Sequence, residues 1–152
     1  MKKLKNIYLV LTIMWMGVIY YMSNQPAAIS SSQSGGFINI LKKLPMIGNT
    51  IKELMKIGLA ELLIRKSAHM FLYFILAILI YMAIKNKNTI KTYIYSLTAC
   101  FIYACTDEIH QIFITGRSGE IKDVLVDTLG SIIGLILIYI INKIMILRKN
   151  KL

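Results

Sequence analysis

Arg65, His69 and Tyr73 recur at every fourth position, a spacing that on a helix puts all three on one side. Asp107, His110 and Gln111 stand at i, i+3 and i+4, with Glu108 beside them; Arg117 follows, and Asp123 and Asp127 again share a face one turn apart. Two guanidinium groups, Arg65 and Arg117, can grip a phosphate or carboxylate through several donors at once. His69 and His110 exchange protons near neutral pH, and the carboxylates beside them would orient the rings. His69, His110, Glu108 and Asp107 are therefore the acid–base candidates. Arg65, Arg117, Gln111, Tyr73, Asp123 and Asp127 are the ligand-binding candidates. Two histidines with carboxylates are compatible with Zn²⁺, yet no Cys pair, H-E-x-x-H helix or G-x-S-x-G elbow fixes a geometry. No metal and no cofactor is expected. The competing structural reading is that Arg65, Arg117 and the carboxylates simply satisfy one another.

The elements that must position these residues are unusually apolar. Of the 152 residues, 57% are hydrophobic and 16% charged, against about 25% charged in an average soluble domain. The apolar residues come in long blocks, which points to a bilayer as solvent. Four membrane spans are expected, at about 7–22, 68–84, 92–113 and 124–141, joined by an extracytoplasmic loop over 23–67. The third is short as an apolar run (92–106) and reaches crossing length only by including Asp107 to Phe113, with its polar end in the headgroup zone. Continuous rather than alternating apolar blocks favour helices over a barrel, so the fold class is an all-α bundle of four transmembrane helices. An inward-facing Asp127 avoids a cost of roughly 2.5–3.5 kcal/mol for a carboxylate in lipid. Gly130 and Gly134, on nearly the same stripe, would let a neighbouring helix approach closely.

Charge orients the bundle. Lys2, Lys3, Lys5, Lys85, Lys87, Lys91, Lys143, Arg148, Lys149 and Lys151 have no acidic residue among them, while every acid lies in the other segments. The positive-inside rule then makes both termini cytoplasmic, and an even span count agrees. The first block has the basic start of a signal peptide, but Trp15 and its length suit an anchor. Cys100 and Cys105, at i and i+5, read as packing residues. Tyr20, Tyr21, Tyr81, Tyr93 and Tyr95 fit an interfacial belt.

In the 23–67 loop, Ser30, Ser31, Ser32, Ser34, Gly35 and Gly36 read as a flexible connector. Thr50 and Glu53 match a capping box opening an amphipathic helix before the second span, with Ile51, Leu54, Met55, Leu59 and Leu62 at helical spacing. It is expected to lie along the outer interface, as a re-entry linker or as a lid over an outward-facing site.

The sequence resembles the VanZ-like family of small multi-pass bacterial membrane proteins, named for a protein associated with teicoplanin resistance. The likeness is carried by Ser23-Asn24-Gln25-Pro26, Arg65-Lys66-x-x-His69-x-x-x-Tyr73, Asp107-Glu108-x-x-Gln111-x-Phe113, Gly116-Arg117-Ser118 and Asp123-Val124-x-x-Asp127-x-x-Gly130-x-x-x-Gly134, over roughly residues 7 to 141. It implies a single membrane domain over 1–152 in the bacterial cytoplasmic membrane. It also implies that Arg65, His69, Asp107, Glu108, Gln111, Arg117, Asp123 and Asp127 belong to a recurrent polar set. This chain departs from the family at Leu72, where many members have Glu, and at Asp127, where Asn is common.

The leading functional expectation is a cell-envelope protein that binds an anionic lipid headgroup or cell-wall precursor at the extracytoplasmic face and influences glycopeptide susceptibility. The alternative is a membrane-embedded hydrolase or transferase acting on an envelope lipid. Transport ranks lower, because the polar residues gather at one end of the spans. A nucleic-acid partner is not expected: the cytoplasmic basic residues are split over three short segments.

Overall fold

In the computed structural model, residues 2–45, 47–85 and 89–149 are described, Lys2 by its backbone alone. Lys87 and Lys151, two residues used above for orientation, lie outside them. The helices are α1 (Lys2–Ser23), α2 (Ala27–Leu41), α3 (Gly48–Lys56), α4 (Ala60–Ile84), α5 (Ile90–Gln111) and α6 (Ile121–Lys149), with no strand among the described residues.

The span count is corrected from four to three. Lys3–Ser23, Ala60–Ile84 and Ile121–Lys149 are the helices long and apolar enough to cross a membrane. The expected crossing over 92–113 is the one that fails. α5 has 22 residues, ample length, but Thr92, Ser96, Thr98, Thr106, Asp107, Glu108, His110 and Gln111 leave it too polar. Many of those side chains have a packing purpose: Thr92, Ser96, Asp107, Glu108 and Gln111 are buried together with Cys100 and Ala104. The small ones let α5 lie against both α4 and α6. A count of three removes the argument for two cytoplasmic termini that an even number of spans gave.

α4 and α6 run side by side in the same direction, because Met70 and Phe74 meet Gly130 and Gly134 in that order. A Cβ on Gly134 would come to 2.5 Å from the Phe74 carbonyl oxygen, and one on Gly130 would collide with the carbonyl of Met70. Only glycine permits that approach. α1 runs the other way, tied to α4 by Trp15 Nε1 donating to the Leu72 carbonyl at 2.9 Å and to α5 by Tyr103 Oη donating to the Met16 carbonyl at 2.7 Å. Ile19, Tyr73, Leu76, Ala77, Tyr81, Cys100 and Ala104 fill the space between helices, whereas Val10, Ile94, Phe101, Leu125 and Ile136 point outward, as a lipid solvent demands.

Other local expectations also change. Tyr81 is not a belt residue: it is buried, its ring 4.7 Å from that of Tyr93, and both hydroxyls accept from Asn142 Nδ2 at 3.1 Å. The supposed flexible connector is largely α2. Pro26 stands at its N-cap, where a missing amide costs nothing, and burial of Ile38 with packing on α4 holds it helical through Gly35 and Gly36. α3 begins at Gly48 rather than after a Thr50 cap, and no side-chain capping bond forms. Its start is set instead by the Gly48 amide donating to the Leu44 carbonyl at 2.8 Å, and Glu53 pairs with Lys56.

Candidate functional site

The C-terminal ends of α1 and α5 meet the N-terminal ends of α4 and α6 at one end of the bundle. There Arg65, Lys66 and His69 from α4, Gln111 from α5, Gly116, Arg117, Ser118 and Glu120 from the following turn, and Asp123 from α6 surround a polar recess of about 70 Å³. Gly116 makes that turn possible with φ +75°, a conformation glycine adopts without strain.

Arg117 braces the recess. Its Nε donates to the Gln25 carbonyl at 2.8 Å, one terminal nitrogen to Gln111 Oε1 at 3.1 Å and the other to the Met22 carbonyl at 3.3 Å. The guanidinium thus fastens the turn to the end of α1. Burial, with Arg65 nearby, lowers its pKa from the ordinary value. Gln111 Nε2 in turn donates to Glu108 Oε1 at 2.9 Å, and Glu108 Oε2 accepts the Glu120 amide at 2.9 Å. Lys66 is paired with Asp123. Arg65 is different: it has no hydrogen bond or ion pair among the described residues, and it lines the recess half-buried.

Beneath the recess lies a second layer. Asp107 Oδ2 accepts from Ser23 Oγ at 2.8 Å and Gln111 Nε2 at 3.3 Å. Burial raises the Asp107 carboxyl above the usual carboxylate range, and those two hydrogen bonds oppose the rise. Glu108 is raised by the same cause, opposed by the Glu120 amide. Asp127 is 0% exposed, and neither of its oxygens has a hydrogen-bond partner among the described residues; the Tyr73 hydroxyl is in the same condition. His69 Nδ1 stands 3.8 Å from Asp127 Oδ1, beyond the roughly 3.2 Å reach of direct proton transfer.

A larger apolar groove opens beside the recess. It measures about 530 Å³ and is lined by Phe37 and Leu41 of α2 and Phe71 and Leu72 of α4. Arg65, His69 and Arg117 line both spaces. A family model, VanZ/LLP1, matches residues 8–142. The chain belongs to this family. Comparison with curated proteins and with solved structures finds no match. The protein is accordingly a multi-pass membrane protein of the VanZ/LLP1 family.

Most of the expected site residues of this VanZ/LLP1 chain gather here. Arg65, His69, Gln111, Arg117 and Asp123 line the recess, Glu108 bonds to its wall, and Asp107, Asp127 and Tyr73 are buried. His110 does not line the recess. Its Nε2 meets Asn24 Oδ1 at 3.2 Å, and its ring lies 4.8 Å from that of Tyr20. Residue spacing alone missed Lys66, Ser23 and Glu120. Lys66 and Ser23 were signalled only by the motifs Arg65-Lys66 and Ser23-Asn24-Gln25-Pro26, and Glu120 contributes through its backbone amide.

Proposed function

We propose that this VanZ/LLP1 protein binds a phosphate-bearing amphiphile, an anionic membrane lipid or lipid-linked cell-wall precursor, at the extracytoplasmic face. The supporting observation is that Arg65, without a protein partner among the described residues, faces both a polar recess and an apolar groove. Such a junction suits a molecule with a charged head and a hydrocarbon tail. Arg117 retains two N–H donors beyond its three hydrogen bonds and would join Arg65 at the headgroup. The groove's Phe37, Leu41, Phe71 and Leu72 would take the start of the chain. The extracytoplasmic assignment rests on Lys3, Lys5, Lys85 and Lys143, which belong to the opposite end of these helices. Altered handling of such a ligand is how the chain would influence glycopeptide susceptibility. Binding is preferred to acid–base catalysis because His69 is not hydrogen-bonded to a carboxylate and His110 faces Asn24 and Tyr20.

The test is photo-labelling in nanodiscs with photoactivatable phosphatidylglycerol or phosphatidylcholine. Wild type should label several-fold more with the anionic probe, with cross-links near Phe37 and Phe71. Arg65→Gln should abolish the preference while changing thermal stability by less than about 0.5 kcal/mol, since Arg65 has no hydrogen bond or ion pair to lose among the described residues. Equal labelling by both probes in the wild-type protein would overturn the proposal.

A further inference from the structure

Asp127 has no evident reason to be a carboxylate. It is fully buried in α6 at the level of Asp107 and His69, and a buried carboxylate without hydrogen bonds costs several kcal/mol unless something compensates it. Of the nearby cations, Lys66 and Arg117 are committed elsewhere and Arg65 lines the recess above. Lys66 pairs with Asp123, and Arg117 is turned toward Gln111, Gln25 and Met22. One nitrogen of His69, one oxygen of Asp107 and one oxygen of Asp127 lie within 4.8 Å of one another.

We propose that His69, Asp107 and Asp127 form a binding site for one divalent metal ion of the Zn²⁺ or Mn²⁺ class. Two carboxylates and a neutral imidazole around a dication give a site of zero net charge, the arrangement a low-dielectric bundle interior tolerates best. The imidazole selects for transition ions over Ca²⁺, which takes a shell of oxygens. Ligand atoms on bonds of about 2.1 Å sit roughly 3.4 Å apart around a tetrahedral ion, so side-chain movement of about 1 Å closes the set. His69 reaches the set from the recess side: its side chain is 15% exposed, and it lines the recess above. That opening supplies both an entrance and a fourth position for water. Asp107 is held for the task from outside, because Ser23 and Gln111 both engage Oδ2 and leave Oδ1 without a hydrogen bond among the described residues. The site stands apart from the lipid reading, since Arg65 is not among its ligands.

The experiment uses tag-free full-length protein in nanodiscs, stripped with EDTA and equilibrated separately with Zn²⁺ or Mn²⁺. Metal content is read by plasma mass spectrometry, alongside the melting temperature. Wild type should retain about one ion per chain and melt at a higher temperature with metal; Asp127→Asn and His69→Gln should each lower affinity at least about tenfold. His69→Gln keeps the test open if Asp127→Asn misfolds, because His69 makes no hydrogen bond among the described residues whose loss would unsettle the bundle. Arg65→Gln should keep its metal, so failure of the lipid reading and failure of this one are distinguishable. Wild type that retains neither ion, or a folded His69→Gln protein that binds as wild type does, would overturn the site.

Discussion

Two polar clusters interrupt the apolar packing of this protein, one at each end of α4 and α6, and they are built on different principles. At the lower end, Asn142 donates to the hydroxyls of Tyr81 and Tyr93 and accepts from Lys85 Nζ at 3.0 Å. Its amide is used on both sides. At the upper end the rim is equally well bonded through Arg117, Gln111 and Glu108, yet Asp127 and the Tyr73 hydroxyl beneath it, and Arg65 beside it, have no hydrogen bond among the described residues. A saturated network stabilises one arrangement of helices. A network saturated at its edge and unsatisfied at its centre reserves donors and acceptors for something else.

Three substitutions test whether the two ends differ in this way. The largest effect is expected at Arg117, the brace of the upper rim. Arg117→Gln removes charge-assisted bonds to Met22, Gln25 and Gln111 and should destabilise the protein by about 3 kcal/mol, measured by denaturant unfolding in detergent. Next is the lower cluster. Asn142→Leu removes three hydrogen bonds, and at roughly 0.6 kcal/mol each inside a membrane bundle it should cost about 2 kcal/mol in the same assay. The smallest effect has the opposite sign. Asp127→Asn in EDTA-treated protein should raise stability by about 1 kcal/mol, because it deletes a buried carboxylate that has no hydrogen bond among the described residues. Loss of stability at Asp127 equal to that at Asn142 would show that the two ends are alike after all.

Much of this organisation was legible in the residues because a helix converts spacing into direction. The four-residue interval from Arg65 to His69 and the stripe from Asp123 through Asp127 to Gly130 and Gly134 both face the interior. What misled was hydropathy read without packing. In α5 several of the hydroxyl and carboxyl groups that make the helix too polar for a crossing are turned inward, while Ile94, Phe101 and Ile102 face out. The Ser- and Gly-rich stretch of α2 has turn composition, but burial of one side chain, Ile38, and contact with α4 override that weak preference. His110 has the same spacing from Asp107 that Gln111 has from Glu108. One residue less of helical rotation carries it toward Asn24 instead of the recess. Asn142 carried little warning: it is a single amide beside Lys143 where the apolar run ends, and its partners lie on two other helices.

The contact of Gly130 and Gly134 with the Met70 and Phe74 carbonyls has a mechanical consequence. Backbone pressed on backbone leaves no compliant side chains to slide over, so α4 and α6 behave as one stiff plate. Whatever enters the recess or the groove therefore meets α4 and α6 as a fixed wall, with the turn around Gly116 and the Phe37–Leu41 end of α2 on the other side of the space.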